Sequence, residues 1–96
     1  MKVLVTYDVV TETPEGRRRL RKVAQVCKNY GQRVQKSVFE CTVNEMLYER
    51  MLRALLKCID EEEDSLRLYR LLEPLDRNIA VYGVNRYVEF NDPLVV

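Results

Sequence analysis

The stretch RVQKSVFECTV, residues 33–43, decides the fold because it contains two short strands with one interruption between them. The alternation of Phe39, Cys41 and Val43 predicts a strand with one face in the core. Residues 35–37 mark the irregularity that separates this strand from the preceding one. With this strand pair placed, the elements predicted before and after it complete the topology.

The chain before the strand pair predicts one strand and one helix. Residues 2–8 are rich in β-forming residues and too short for a helix, so they predict a central strand. Thr13 and Pro14 are typical of an N-cap and a first helical position, and Gly31 is expected to end the helix. The predicted core-facing stripe of this helix consists of Leu20, Val23, Ala24 and Cys27.

The chain after the strand pair predicts a second helix and a fourth strand. Asn44 is expected to cap the helix, which should finish near Ile59 because the acidic residues 60–64 are unfavourable at a helix C-terminus. Its predicted core stripe is Leu47, Met51, Leu55 and Cys58. Residues 65–71, SLRLYRL, alternate as a strand.

The order β-α-β-β-α-β predicts an α+β, ferredoxin-like domain with an antiparallel sheet and two helices on one face. We assign this domain to residues 1–84. Residues 79–84, IAVYGV, predict an appended strand, expected to pair at a dimer edge because an exposed edge is a liability. Residues 85–96 are expected to form a C-terminal tail that packs on the partner subunit.

Composition excludes several kinds of site. The 96 residues contain no histidine, which removes histidine triads, histidine metal ligands and an imidazole base. Cys27, Cys41 and Cys58 have no CxxC spacing, so neither a disulfide framework nor a thiolate zinc site is indicated. The sequence shows no signal segment or membrane span, so a cytoplasmic location is expected. Chemistry must rest on carboxylates, Tyr, Ser, Lys, Arg and bound metal.

Charge is unevenly distributed although the net charge is only +1. RRRLRK at residues 17–22 is basic, and DEEED at residues 60–64 is acidic. The basic residues are expected either to be a solvated helix face or, doubled in a dimer, to contact a phosphate backbone. The acidic residues are expected to be a solvated loop, with repulsion of DNA or docking of a basic protein surface as further possibilities.

Three segments together resemble the CRISPR-associated Cas2 family: VTYDV at residues 5–9, the arginine-rich first helix, and QRVQKSVFEC at residues 32–41. The strongest part is the R-x-Q-x-S-V-F string at residues 33–39. The resemblance implies a homodimer in CRISPR spacer acquisition, which bridges copies of the Cas1 integrase and holds a short DNA duplex. It also implies a magnesium-dependent endonuclease, because several relatives are described as nucleases on RNA or DNA.

Asp8 is the candidate catalytic residue and metal ligand. From its position at a strand exit alone, a turn and capping role is the simpler interpretation. The resemblance implies instead that it binds Mg²⁺, with two copies facing each other across the dimer axis. A hard cation that keeps several waters suits one or two carboxylates plus a substrate phosphate.

The remaining candidates divide into nucleic-acid contacts and supporting residues. The expected nucleic-acid contacts are Arg17, Arg18, Arg19, Arg21, Lys22 and Arg33. Tyr7 is expected in the core, and Phe39 is either core or functional. Ser37 has no histidine to activate it, so it is expected to satisfy backbone groups where the strand breaks.

Alternatives from other classes remain open. A non-catalytic adaptor would bridge the integrase and hold DNA without cutting it. A regulatory dimer would bind a small molecule, although three glycines and no Gly-rich loop disfavour a nucleotide cradle. A toxin-like ribonuclease on the same fold is the third alternative.

Overall fold

The computed structural model describes residues 1–87, and residues 88–96 lie outside the described part. The elements in chain order are β1 (Lys2–Asp8), α1 (Pro14–Tyr30), β2 (Gly31–Gln35), β3 (Val38–Thr42), α2 (Glu45–Cys58), β4 (Ser65–Leu71) and the short α3 (Leu75–Asn78). The predicted ferredoxin-like α+β order is confirmed. No helix within residues 1–87 is long and apolar enough to cross a membrane.

The four strands form one antiparallel sheet with the order β2-β3-β1-β4. β1 is central, and its Val5 lies between Phe39 of β3 and Leu68 of β4. The register of β2 against β3 shifts between Arg33 and Gln35, immediately before the irregularity predicted at residues 35–37.

Strand alternation divides the sheet into a core face and an open face. On β1, Val3, Val5 and Tyr7 are buried. The core face packs against both long helices through Val23, Cys27, Met51 and Leu55. The open face is defined here as the side that carries Leu4, Thr6 and Asp8 of β1, Val38 and Glu40 of β3, and Ser65, Arg67, Tyr69 and Leu71 of β4.

The helix ends follow the predicted capping residues. The Thr13 hydroxyl accepts a hydrogen bond from the Gly16 backbone N–H at 3.0 Å, and the Asn44 side chain accepts one from Leu47 at 2.8 Å. α1 ends at Tyr30 and β2 begins at the next residue, Gly31.

The position after α1 requires glycine for a steric reason. Its backbone is extended, with φ of −167°, so left-handed geometry is not what requires glycine. A Cβ there would collide with the Glu40 carbonyl oxygen and lie 2.6 Å from the Cys41 Cα. Gly31 therefore lets the end of the helix approach β3 closely.

The appended strand predicted at residues 79–84 does not form within this single chain, where these residues belong to no strand. Val81, Tyr82 and Val84 are 77%, 91% and 78% exposed. A strand needs a hydrogen-bonding edge, and this segment has not taken one from its own sheet. Its pairing in a dimer stays a prediction, and most of the predicted tail, residues 88–96, lies outside the described residues.

Candidate functional site

Asp8 is the last residue of the central strand and is exposed on the open face. It pairs across β1 and β4 with Ser65, the first residue of β4. Its neighbour Tyr7 is buried, 6% exposed, and the Tyr7 N–H donates to the Ser37 carbonyl at 3.1 Å. The end of β1 is thus held by β4 on one side and by the Ser37 carbonyl on the other, and Asp8 is its last residue.

Asp64 is a buried carboxylate close to this strand end, with a side chain that is 0% exposed. Its Oδ1 accepts from the Val10 N–H at 3.1 Å, and its Oδ2 accepts from the Asp60 N–H at 2.9 Å. Arg19 donates to both oxygens, from Nε at 2.8 Å and from Nη2 at 3.3 Å. The same Nη2 donates to Glu63 at 3.2 Å.

These contacts determine the ionisation of Asp64. Desolvation by burial acts to raise the pKa of this carboxyl, but the hydrogen bonds from Arg19, Asp60 and Val10 outweigh it and hold the pKa below its ordinary value. Asp64 is therefore a charged acceptor that joins α1, the acidic loop and the chain after β1.

This arrangement corrects two expectations from the sequence. The basic run predicts an exposed Arg19, but its side chain is only 18% exposed and is bound to Asp64 and Glu63. The acidic run predicts a solvated Asp64, but this residue's side chain is buried. The charge pattern of the sequence does not indicate that Arg19 pairs with Asp64, which is 45 positions away.

The other basic residues of α1 face solvent. Arg17, Arg18, Arg21 and Lys22 are exposed, and Arg17 donates to the Thr11 carbonyl at 3.1 Å. Among residues 1–87, Arg18, Arg21 and Lys22 form no ion pair. Positions 18, 21 and 22 are neighbours on a helix surface, so their charges act on the same region of solvent. We call Arg17, Arg18, Arg21 and Lys22 the basic surface of α1.

Arg33 lies apart from the exposed arginines, at the edge of the core. It is half-buried, and its guanidinium carbon lies 5.0 Å from the centroid of the Phe39 ring and 5.8 Å from that of Tyr87. Phe39 is 0% exposed and stacks with Tyr7 at 6.2 Å between centroids. Phe39 is therefore a core residue, and Arg33 forms cation–π contacts instead of projecting freely into solvent.

Two buried polar atoms near this aromatic group have no hydrogen-bond partner within residues 1–87: the Tyr7 hydroxyl and the Arg33 Nε. Burial raises the pKa of the Tyr7 hydroxyl, and the Arg33 guanidinium opposes that rise. Tyr7 is thus a core residue, as expected. Ser37 contributes through its main chain, because its carbonyl is the acceptor for Tyr7.

A cavity elsewhere on residues 1–87 does not include Asp8 in its lining. It has a volume of about 480 Å³ and lies between β2 and residues 81–87, with Gln32, Gln35 and Tyr82 among its lining residues. Asp8 instead is exposed at the end of β1 and does not line this cavity. Within residues 1–87, no three Asp, Glu or Cys side chains form a metal-binding group, so Asp8 offers one carboxylate per chain.

Comparisons with known proteins agree on one family. The family described as "CRISPR associated protein Cas2" matches residues 1–79. A Moorella thermoacetica protein named CRISPR-associated endoribonuclease Cas2 1 is 62% identical over 96 residues, covering 100% of both chains. A Halalkalibacterium halodurans protein named CRISPR-associated endonuclease Cas2 is 47% identical over 95 residues, covering 99% of both. The crystal structure of Streptococcus pyogenes Cas2 gives a TM-score of 0.78 at 52% identity, covering 86% of this chain and 100% of that chain.

Replacing Asp64 by Asn should lower the free energy of unfolding at pH 7 by about 2 kcal/mol, because the charged acceptor of several hydrogen bonds is removed. Because the folded-state pKa is lowered, the stabilisation is present above the ordinary Asp pKa of about 3.9 and is lost as pH falls through the folded value. Urea unfolding of both proteins across pH 2 to about 7 measures this.

The exposed Glu61→Gln variant carries the same charge change in the same loop and should match the wild type. A constant difference in stability between wild type and Asp64→Asn at every pH would contradict the assignment.

Proposed function

This chain belongs to the CRISPR associated protein Cas2 family, and on that premise we propose that it is a homodimeric, Mg²⁺-dependent endonuclease that cleaves RNA or DNA at paired Asp8 residues. The names of two relatives, endoribonuclease and endonuclease, support phosphodiester cleavage as the activity. The biological role we propose is CRISPR spacer acquisition, with the Cas1 integrase as partner.

The observation that carries this proposal is the position of Asp8. The carboxylate is exposed at the tip of the central strand, while Tyr7 beside it is locked in the core. A carboxylate on a rigid strand keeps a fixed geometry. Because it is exposed, it can contact a polymer that is too large for a pocket.

The open face supports the proposed dimer. Both long helices pack on the opposite side of the sheet, and the open face carries half-buried Leu4, Val38 and Leu71 and the 43% exposed Tyr69. A chain of 96 residues buries a small core, so covering such a face with a second copy stabilises it. Asp8 lies at the end of this face, as the last residue of β1, so association through the face would place the two Asp8 residues at the rim of one interface.

The Asp8 carboxylate fits Mg²⁺, a hard cation that prefers oxygen ligands and retains several waters. One carboxylate from each subunit and the substrate phosphate would complete the donor set. When bound, the ion would neutralise charge at the scissile phosphate and lower the pKa of a bound water. The part of this chain is to hold the ion with Asp8 and to keep that carboxylate in place through β1.

The basic surface of α1 is the proposed contact for the phosphate backbone. Contacts of Lys and Arg with phosphates carry no sequence information, which suits a protein that binds DNA or RNA non-specifically. Dimer symmetry would supply two such surfaces. Arg33 is not included, because its guanidinium is engaged by aromatic rings.

A second candidate is a non-catalytic dimeric adaptor that bridges the Cas1 integrase and holds duplex DNA. It is favoured by the sparse ligand set around Asp8, since no three Asp, Glu or Cys side chains within residues 1–87 form a metal-binding group. The two functions share the dimer and the basic surface, and differ in whether Asp8 is needed for turnover.

Asp8→Ala should reduce Mg²⁺-dependent cleavage of labelled single-stranded RNA or double-stranded DNA by at least about 100-fold, since the metal contributes several kcal/mol to such reactions. Its unfolding temperature should stay within about 2 °C of the wild type, because Asp8 is exposed. Asp76→Ala, which removes an exposed carboxylate on α3, is the matched control. Equal cleavage by Asp8→Ala would refute the site, and no cleavage by any protein would favour the adaptor.

Arg18→Glu combined with Arg21→Glu should weaken binding of a short DNA duplex by at least about 100-fold at low salt. The slope of log K against log salt should become shallower by about 0.9 for each phosphate that the variant no longer neutralises. Fluorescence anisotropy across a salt series measures both quantities. Arg50→Glu with Arg53→Glu makes the same charge change on exposed positions of α2, and equal weakening in this control would argue against a specific basic surface.

Leu4→Lys should convert the dimer into a monomer, since it places a charge in the middle of the open face. Light scattering coupled to size exclusion distinguishes one chain mass from two. Leu56→Lys, at a position of α2 that is 43% exposed, should remain dimeric. A dimeric Leu4→Lys protein would show that the subunits associate through another surface.

A further inference from the structure

We infer that Asp64 is a positioning residue for Asp8: it fixes the connection between β1 and α1, residues 9–13, and so holds the direction in which β1 presents its last carboxylate. This inference rests on the proposed cleavage at Asp8. The inference assigns the acidic segment, residues 60–64, a function in positioning Asp8. The charge pattern of this segment alone predicts a solvated loop.

The two residues that follow Asp8 are each held by a separate contact. Val9 is 8% exposed and belongs to the core cluster. The Val10 N–H donates to Asp64 Oδ1 at 3.1 Å. On its other side, Val10 approaches Gly16 of α1 so closely that a Cβ at Gly16 would collide with the Val10 carbonyl oxygen. The chain leaving Asp8 is therefore fixed between the Asp64 carboxylate and the first turn of α1.

Asp64 also holds the start of β4, the strand that pairs with β1 at Asp8. It directly precedes Ser65, whose Cα partner across β1 and β4 is Asp8. Its N–H donates to the Asp60 carbonyl at 2.7 Å, while its Oδ2 accepts from the Asp60 N–H at 2.9 Å, which closes the acidic turn. One residue thus holds both the segment after Asp8 and the entry to the strand beside it.

Arg19 fixes Asp64 in turn. The guanidinium donates to both carboxylate oxygens, and this two-point contact sets the orientation of the carboxylate as well as its position. Glu63 meets only the Nη2 of Arg19, at 3.2 Å, and Glu61 and Glu62 are exposed and form no ion pair within residues 1–87. The positioning function therefore belongs to Asp64 and does not extend to acidic charge in general.

Small displacements of a reacting group have large kinetic effects, about 100-fold for a shift of about 1 Å. A residue that never touches nucleic acid can therefore change turnover through geometry. The expected signature is a loss in kcat with little change in KM, because Asp64 takes no part in holding the substrate.

The test compares Asp64→Asn, Gly16→Ala and the charge-matched control Glu61→Gln with the wild type. Asp64→Asn removes the charged acceptor, whereas Gly16→Ala pushes against Val10 without altering any charge. Cleavage is measured with Mg²⁺ at a temperature where circular dichroism shows every variant to be fully folded. Hydrogen exchange of the Val10 amide is measured by NMR without metal or substrate.

Both test variants should lower kcat by about tenfold or more, change KM by less than about twofold, and accelerate exchange at Val10, whereas Glu61→Gln should match the wild type. If Asp64→Asn does not fold, Arg19→Lys replaces it. That variant leaves the Asp64 carboxylate in place but replaces the planar contact from two guanidinium nitrogens by a single ammonium, and it should lower kcat by about threefold.

Wild-type kcat in Asp64→Asn despite faster exchange at Val10 would overturn the inference, and so would unchanged exchange at Val10. A parallel rise in KM would assign Asp64 to substrate binding or to general folding. Failure of the proposed function has a different signature, since it appears in the wild type or in Asp8→Ala, and it would remove the positioning role as well.

Discussion

The whole structure depends on the central strand β1, which is hydrogen-bonded along both edges and used on both faces. Val3, Val5 and Tyr7 close the core against the two helices, while the alternate residues form the middle of the open face. A shift of one residue in its register would exchange these two sets, so core packing fixes the orientation of Asp8 as firmly as that of Val5. Folding and the proposed chemistry therefore both depend on these seven residues.

Much of the fold is predictable because its signals are local. Strand alternation, the capping residues Thr13 and Asn44, and the interruption between β2 and β3 each depend on neighbours within a few positions. The prediction for residues 79–84 is different in kind, because a strand also needs an edge to pair with. The sequence indicates extended structure there, but no local pattern says which edge receives it.

The candidate site is predictable in part. Alternation alone places Asp8 opposite to Tyr7, but its function comes from the family resemblance. In the sequence, Arg19 and Arg33 look equivalent to the exposed arginines, because charge patterns do not reveal which guanidinium meets a buried carboxylate or an aromatic ring. Asp64 escapes prediction for the same reason: its importance comes from Val10 and Arg19, which are distant in sequence and adjacent only in the folded chain.

The junction of α1 and β2 has a mechanical consequence. The helix ends at Tyr30 and the strand begins at Gly31. Because Gly31 has no Cβ, the backbone at this junction packs closely against β3. No flexible linker separates the helix that carries the basic surface from the strand that carries Arg33. The direction of α1, and with it the basic surface, is therefore tied to the edge of the sheet without an intervening loop.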